Sequence, residues 1–397
     1  MRVEVITPSA DPDHGGFGGR VHALVSMFAQ FAEVRVVRTD WFAGPEVPGV
    51  QYTDFPVHDT ALTRLRRLRT YYRTDFPRRI PAEAPDLVVV ESLDRLGLRP
   101  RGGAPTILDE HNVYWKLLEY ELASTPFFGG WMGRRAFLRR RLVPRLMDRA
   151  KRFELQAIRR ARRTLVTSEE DRRLILAECP EATEKVAVLP NCVDAARIQA
   201  LPDSPESRTV LFVGDFGYGP NREAAAFIGQ TLAPHIPDAR FWLVGANPPA
   251  EALGRNVVAK GRVPDLSEAL REATVCIAPL SHGSGTRVKI LTYLAAGRAV
   301  VATSKACEGL PLRDDVDVLI RDDPEAFALA TRELLDDPDR RRRLADGGRK
   351  LIEARFDWRL HVGRLRVLAT DALMRPAGDG FPNSPGALPG SEPSLVD

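Results

Sequence analysis

Two cations, Arg287 and Lys289, stand one residue apart directly after the loop Ser281 to Gly285 and Thr286. The apolar run TVCIAPL before that loop reads as a buried strand ending at Leu280. Thr286 to Ala296 reads as a helix that Gly297 stops, and a further strand opens at Ala299. Gly283 and Gly285 let the backbone approach a ligand closely, and a helix N-terminus offers unpaired N–H groups and the positive end of its dipole. Cations in a first helical turn oppose that dipole at a cost of about 0.3–1 kcal/mol each. A bound diphosphate reverses the sign, so loop and cations together predict an anion site in preference to a plain turn with two solvated charges.

Two further segments carry chemistry. SADPDHGGFGGRVHAL puts Gly15, Gly16, Gly18 and Gly19 between the first strand, MRVEVIT, and the first helix. Asp40, ending the second strand, raises a dinucleotide-binding alternative, which the spacing disfavours: after Gly16 and Gly18 the third glycine position is Val21. In ILDEHNVYWKLLE a strand ends near Leu108, Asn112 caps the helix that follows, and His111 is left at the carboxyl end of the sheet. Asp109 either orients that histidine or pairs with a nearby arginine.

The elements that must position these residues alternate along the chain. MRVEVIT, VRVVRT, DLVVVES, TILDE and RTLVTS are short apolar runs separated by helical patterns, with an Arg-rich helix read over 61–79. Such alternation predicts a parallel sheet covered on both faces. It restarts after a Pro-containing stretch from Asp194 to Arg208, read as a linker, with TVLFVGD, RFWLVGA, NVVAKGRV, TVCIAPL, AVVATS and DVLI. The expected plan is α/β: one Rossmann-like domain over 1–196, a second over 205–355, a C-terminal helix over 356–375 packing back on the first domain, and a disordered tail over 376–397 with five prolines and four glycines. Ligands of such sheets bind outside the carboxyl ends of the strands.

The 397 residues suit two or three domains. Hydrophobic residues at 44% and charged residues at 28% exclude a disordered or fibrous chain. No run is long and apolar enough to cross a bilayer, and the start lacks a secretory pattern, so a cytoplasmic protein is expected. Cys179, Cys192, Cys276 and Cys307 form no metal-binding or disulfide pattern.

The second half resembles the retaining family-4 glycosyltransferases of GT-B fold. LFVGDFGYGPNREAAAF, FWLVGA, the loop and helix around Arg287, ACEGL, and DDPEAFALATRELLDDP followed by FDW occur in that family's order and spacing. The resemblance implies two Rossmann-like domains facing a central cleft and transfer of a sugar from a nucleotide-diphosphate sugar with retained anomeric configuration. It implies Arg287 and Lys289 on the phosphates, with Gly283, Ser284, Gly285 and Thr286 in the phosphate loop. Gly214 to Asn221 lie on the opposite wall of the donor, Gly261 to Val263 beside the base, Gly15 and Gly16 near the donor phosphate or acceptor, and His111 against the donor sugar. No Asp-x-Asp triplet occurs, so no cofactor and no obligatory metal is expected. The chain departs from the family where many members carry two glutamates with seven residues between them: here stand Ser284 and Thr292. A degenerate GT-B partner subunit, for which Thr292 speaks, and a nucleotide-sugar epimerase are the rival readings.

The net charge of +4 conceals a local excess: residues 134–163 hold 13 Lys or Arg against Asp148 and Glu154. Solvated helix faces explain such a run, and so does docking to an anionic membrane surface, with Phe127, Phe128, Trp131 and Met132 entering it. The second suits a lipid-linked or cell-surface glycan acceptor and peripheral attachment at the inner face of the membrane. Nucleic acid is not expected, because no recognition fold is present and no aromatic residues interleave with the arginines.

Overall fold

The structure, a computed structural model, describes residues 1–9, 15–40, 44–57, 80, 85–99, 103–124, 136–249, 254–283 and 285–375. The helix read over 61–79, the aromatic residues at 127–132, Ser284 and the tail over 376–397 lie outside the described residues. The chain divides into two compact units, Met1–Leu189 with the segment from His361 onward, and Pro190–Leu360.

The first unit is built on a seven-stranded parallel sheet. Its strands are β1 (Arg2–Thr7), β2 (Glu33–Arg38), β3 (Gln51–Asp54), β4 (Leu87–Glu91), β5 (Thr106–Glu110), β6 (Arg163–Val166) and β7 (Val186–Val188). They lie in the order β3-β2-β1-β4-β5-β6-β7. Every residue of β4 and β5 is buried, as a sheet covered on both faces requires. The C-terminal helix Val362–Met374 belongs to this unit and is tied to β6 by Asp371, whose carboxylate accepts from Arg163 Nε at 2.7 Å.

The second unit holds a six-stranded parallel sheet: β8 (Thr209–Val213), β9 (Arg240–Val244), β10 (Val257–Gly261), β11 (Ala273–Ala278), β12 (Val300–Ala302) and β13 (Leu319–Ile320), in the order β10-β9-β8-β11-β12-β13. Its helices start where side chains can accept their first N–H groups: Asp265 accepts from Ser267 N at 2.8 Å, and Asp323 from Glu325 N and Ala326 N. The stretch read as a linker is tied into this unit. Leu201 N donates to the Ala296 carbonyl, Arg349 donates to the Ile198 carbonyl, and Ile198 and Leu201 pack on the core. Buried Ala195 and the Asp203–Arg341 ion pair hold the same stretch.

In both sheets the strand order reverses once, between β1 and β4 and between β8 and β11. Ligand crevices of open parallel sheets form outside the carboxyl ends of the strands at such a reversal. The loops after β8 and β11, and after β1 and β4, are therefore where each unit's site belongs.

Candidate active site

In the second unit the reversal brings the two expected loops together. β8 runs out through Gly214, and the helix Gly219–Phe227 carries Asn221 in its first turn. Asn221 is buried; its Nδ2 donates to the Asp215 carbonyl at 2.8 Å, and its Oδ1 accepts from Lys289 Nζ at 2.7 Å. A Cβ on Gly214 would stand 2.8 Å from the Asn221 amide carbon, so the strand end is glycine because the asparagine lies against it. The neighbouring turn is closer still: at Gly245, with φ +139°, a Cβ would meet the Gly214 carbonyl oxygen at 2.0 Å.

From β11 the chain passes through Gly283 (φ +109°) and Gly285 (φ +72°) into the helix Val288–Ala295. The helix starts two residues later than expected. Arg287 is the residue before its first turn, and Thr286, which would have begun it, instead accepts a hydrogen bond from Asn191 Nδ2 through its hydroxyl. Arg287 is buried and donates to the carbonyls of Gly285 and His282, which holds its guanidinium against the loop. Lys289 is half-buried, with its ammonium 4.2 Å from the centre of the Phe212 ring. Burial, and then the like charge of Arg287, hold that ammonium well below the ordinary lysine range. The site therefore contains two cations and a helix N-terminus with no carboxylate opposing them in the first two helical turns. Thr292 does not alter this, since its hydroxyl donates to the Val288 carbonyl one turn earlier at 3.1 Å. Gly261 ends β10 at φ +70° and its carbonyl accepts from Gly245 N at 2.8 Å; Val263 packs on the core just beyond.

In the first unit Gly15 is the first residue of the helix Gly15–Phe28, so Gly15, Gly16, Gly18 and Gly19 form its first turns and not a loop before it. Glycine's low helix propensity is overridden here by the tertiary contacts of Val21, Leu24 and Val25, all buried. Asp40, the acid of the dinucleotide alternative, is engaged in an ion pair with the buried Arg95.

His111 sits at the end of β5 in a network of four buried ionisable groups. Arg20 binds both oxygens of Asp109, at 2.7 and 2.5 Å, and donates to the Leu189 carbonyl at 2.9 Å. Asp109 is thus the arginine's partner, and the nearest partner of His111 is Glu91, with Nε2 to Oε2 at 2.7 Å against 3.4 Å to Asp109. Phe17 stacks on the imidazole at 4.3 Å. Burial pushes the imidazole down to about 4, outweighing Asp109. It pushes Glu91 well up, with Asp109 adding to the rise. Burial also acts on Asp109, but Arg20 and then His111 hold it below the usual carboxylate range. Glu91, Asp109 and His111 bring one donor atom each within 4.8 Å of one another, the spacing of a metal site. They do not fit one, because both Asp109 oxygens already face a guanidinium that a divalent ion would have to displace or repel.

Sequence reasoning passed over Glu91. The signal was present, since Glu91 ends the run LVVVE at the carboxyl end of a strand beside the strand-order reversal, where ligand crevices of such sheets form. The backbone marks the place as well: Ser92, the next residue, has φ +90°, and its hydroxyl accepts from the Tyr114 hydroxyl at 3.0 Å. On the opposite face of β5, Glu110 is buried with both carboxyl oxygens unpartnered. Beside it Glu154 accepts from Tyr114 N at 2.9 Å and Trp115 N at 3.0 Å, and burial lifts it to about 8 against those two donors.

Two Rossmann-like parallel-sheet domains, each with residues of the expected chemistry at its strand-order reversal, define the GT-B class. Residues 2–197 match the family model for Glycosyltransferase Family 4, and residues 207–337 match that for Glycosyl transferases group 1. By these two domains and by its fold, the chain belongs to the GT-B glycosyltransferases. Among curated relatives, a D-inositol 3-phosphate glycosyltransferase of Thermobispora bispora is 34% identical over 114 residues, which is 28% of this chain and 26% of the relative. The match thus spans about a quarter of that relative's length. Among solved structures, sucrose-phosphate synthase of Thermosynechococcus elongatus superposes with a TM-score of 0.64 at 15% identity, over 93% of this chain and 98% of that one. Anabaena HepE in complex with UDP and glucose gives 0.62 at 14%, over 93% and 99%. WaaG, a glycosyltransferase involved in lipopolysaccharide biosynthesis, gives 0.62 at 16%, over 93% and 99%. Among the described residues no helix is long and apolar enough to cross a membrane.

Proposed function

We propose that this chain transfers a sugar from a nucleoside-diphosphate sugar to a glycan or glycolipid acceptor with retained anomeric configuration. The observation that carries the reading is the pair Arg287 and Lys289, held behind Gly283 and Gly285 at the β8/β11 reversal, with no carboxylate in the helix Val288–Ala295. UDP and glucose in HepE support the ligand class. The diphosphate leaves with the bonding electrons of the anomeric C–O bond while the acceptor oxygen bonds to the same face of that carbon, and the acceptor's proton passes to the departing phosphate oxygen. Arg287, Lys289 and the helix N-terminus stabilise the charge that develops there. In this reading Gly15 and Gly16 approach the donor or acceptor, Gly214 and Asn221 line the donor wall, Gly261 and Val263 hold the base through backbone contacts, and His111 lies against the donor sugar. No cofactor or metal takes part.

The acceptor's lipid anchorage and peripheral attachment belong to the same proposal. Part of the basic run is already neutralised: Lys151 pairs with Glu178, Arg159 with Glu181 and Arg163 with Asp371. Arg145, Arg149 and Arg152 are exposed along one face of the helix Ala136–Arg160, with no ion pair among the described residues. Among the described residues these are cations placed to meet anionic headgroups.

Purified protein incubated with a panel of nucleotide sugars and membrane extract tests the activity. Release of nucleotide with a glycosylated product supports it. No release with any donor, together with unchanged nucleotide binding in Arg287→Ala, overturns it. Thr292 favours a second reading, a degenerate subunit, for which nucleotide binds without turnover. The cluster of Glu91, Asp109 and His111 supplies acid and histidine groups that an epimerase would use, so the products are also scored for an isomerised sugar.

A further inference from the structure

We propose that Glu91 is a positioning residue for His111: its carboxyl group donates from Oε2 to His111 Nε2 and fixes the imidazole as the neutral tautomer that carries its proton on Nδ1. Charge and proton count within this buried cluster decide the tautomer. Glu91 and Asp109 are both fully buried, His111 nearly so. Among the described residues the cation facing them is Arg20, which donates from Nε and Nη2 to Asp109 and from Nη1 to the Leu189 carbonyl. One positive charge thus answers one carboxylate. A second carboxylate beside Asp109 would be buried without a counter-ion, which costs far more than holding a proton.

A protonated Glu91 has a single O–H to place. Two acceptors stand near it: His111 Nε2, 2.7 Å from Oε2, and the Asp109 carboxylate, both of whose oxygens already accept from Arg20; Oε1 has no hydrogen-bond partner among the described residues. A proton on Oε1 would bury an unpaired donor, whereas a proton on Oε2 leaves only a carbonyl-type oxygen unpaired, the cheaper of the two defects. Nε2 must then accept, and the ring's proton stands on Nδ1. Phe17, stacked 13° from parallel, restrains the ring plane about that bond. The rise of the Glu91 carboxyl and the fall of the imidazole, both driven first by burial, agree with a neutral pair. The consequence for chemistry is that His111 offers a hydrogen-bond donor at Nδ1 and acts as neither a base nor a cation. That this donor addresses the sugar rests on the function proposed above; the tautomer does not.

The test uses the full chain labelled with ¹⁵N-histidine, the His111 signals being assigned by their loss in His111→Gln. Pyrrole-type nitrogen at Nδ1 and pyridine-type at Nε2, unchanged from about pH 5.5 to 8.5, is the expected result. An Nε2–H tautomer or an imidazolium in that range overturns the proposal. Glu91→Gln, whose amide N–H donates to Nε2 in place of the O–H, should keep the tautomer and hold kcat within about threefold. Glu91→Leu should mix the tautomers and lower kcat at least about tenfold with KM little changed. If Glu91→Leu leaves the tautomer intact, or Glu91→Gln shifts it to Nε2–H, Glu91 does not position the ring. A chain that turns over no donor yet shows the Nδ1–H signal refutes the transferase reading and not this one.

Discussion

Lys289 Nζ donates to Asn221 Oδ1 across 2.7 Å, joining the helix after β11 to the helix after β8 over the Phe212 ring. The ammonium is therefore held in place before any ligand arrives, at the expense of water it would otherwise keep. Lys289→Met retains most of the stem and removes the charge. UDP affinity should fall by ~10- to 100-fold, the scale of a charged hydrogen bond, with the melting temperature unchanged or raised. Calorimetric titration and a thermal melt read both; undiminished UDP binding would remove Lys289 from the site.

Binding should also move protons. Burial and Arg287 lower Lys289 in the free protein, and a diphosphate beside it restores the ordinary lysine preference for the charged form. Nucleotide binding then takes up protons, and affinity weakens as pH rises through the depressed value. Titrations at one pH in two buffers of different ionisation enthalpy measure the uptake, and proton release would have the wrong sign.

Gly283→Ala places a Cβ 3.0 Å from both the Arg287 guanidinium and the Tyr218 hydroxyl, on a backbone at φ +109°. The strain should cost roughly 1–2 kcal/mol of stability, while the displaced arginine costs nucleotide affinity well beyond that. A variant that melts lower but binds UDP as before would make this glycine purely structural.

Glu154 makes a stability prediction. Its carboxyl is raised to about 8 in the folded protein, so between the ordinary glutamate range and pH 8 the folded state binds more protons than the unfolded one. Stability from this group is present at low pH and lost as pH rises through that window. Glu154→Gln still offers an oxygen to Tyr114 N or Trp115 N and cannot ionise. Its melting temperature should gain on the natural chain as pH rises from about 5 to 8; a constant difference across that range would be the contrary result.

Replacing Arg145, Arg149 and Arg152 with Glu should weaken cosedimentation with anionic vesicles roughly tenfold or more, each cation near such a surface contributing about 1 kcal/mol. The natural chain's binding should fall with salt. Indifference to salt and to the substitutions would leave these arginines a solvated helix face.

The parallel sheets, the glycine stop at Gly297 and the cation pair were legible because each leaves a local pattern: apolar runs, a helix-ending glycine, and charges at the wrong end of a dipole. Gly297 lies at φ +66° with its N–H on the Leu294 carbonyl, as such a stop requires. What escaped was non-local. Glu91 and His111 are twenty residues apart and meet only because β4 and β5 are neighbours. Glu154 sits among arginines and reads as one more surface charge until the helix is turned and its carboxyl is found under Tyr114 and Trp115. The helix start at Gly15 was hidden by composition, since four glycines in five residues resemble a loop unless the apolar residues that follow hold them in a helix.

The back-bond from Thr292 to Val288 carries a consequence for the pace of turnover. A carboxylate in that turn would repel the spent nucleotide; a hydroxyl committed to the helix does not. In the proposed reaction the two cations should grip the free nucleoside diphosphate at least as firmly as the intact donor, which predicts that its departure is the slow step. The expected signature is a pre-steady-state burst of glycosylated product followed by a linear phase that excess UDP suppresses, and a linear trace from the first turnover would place the barrier in the chemistry instead.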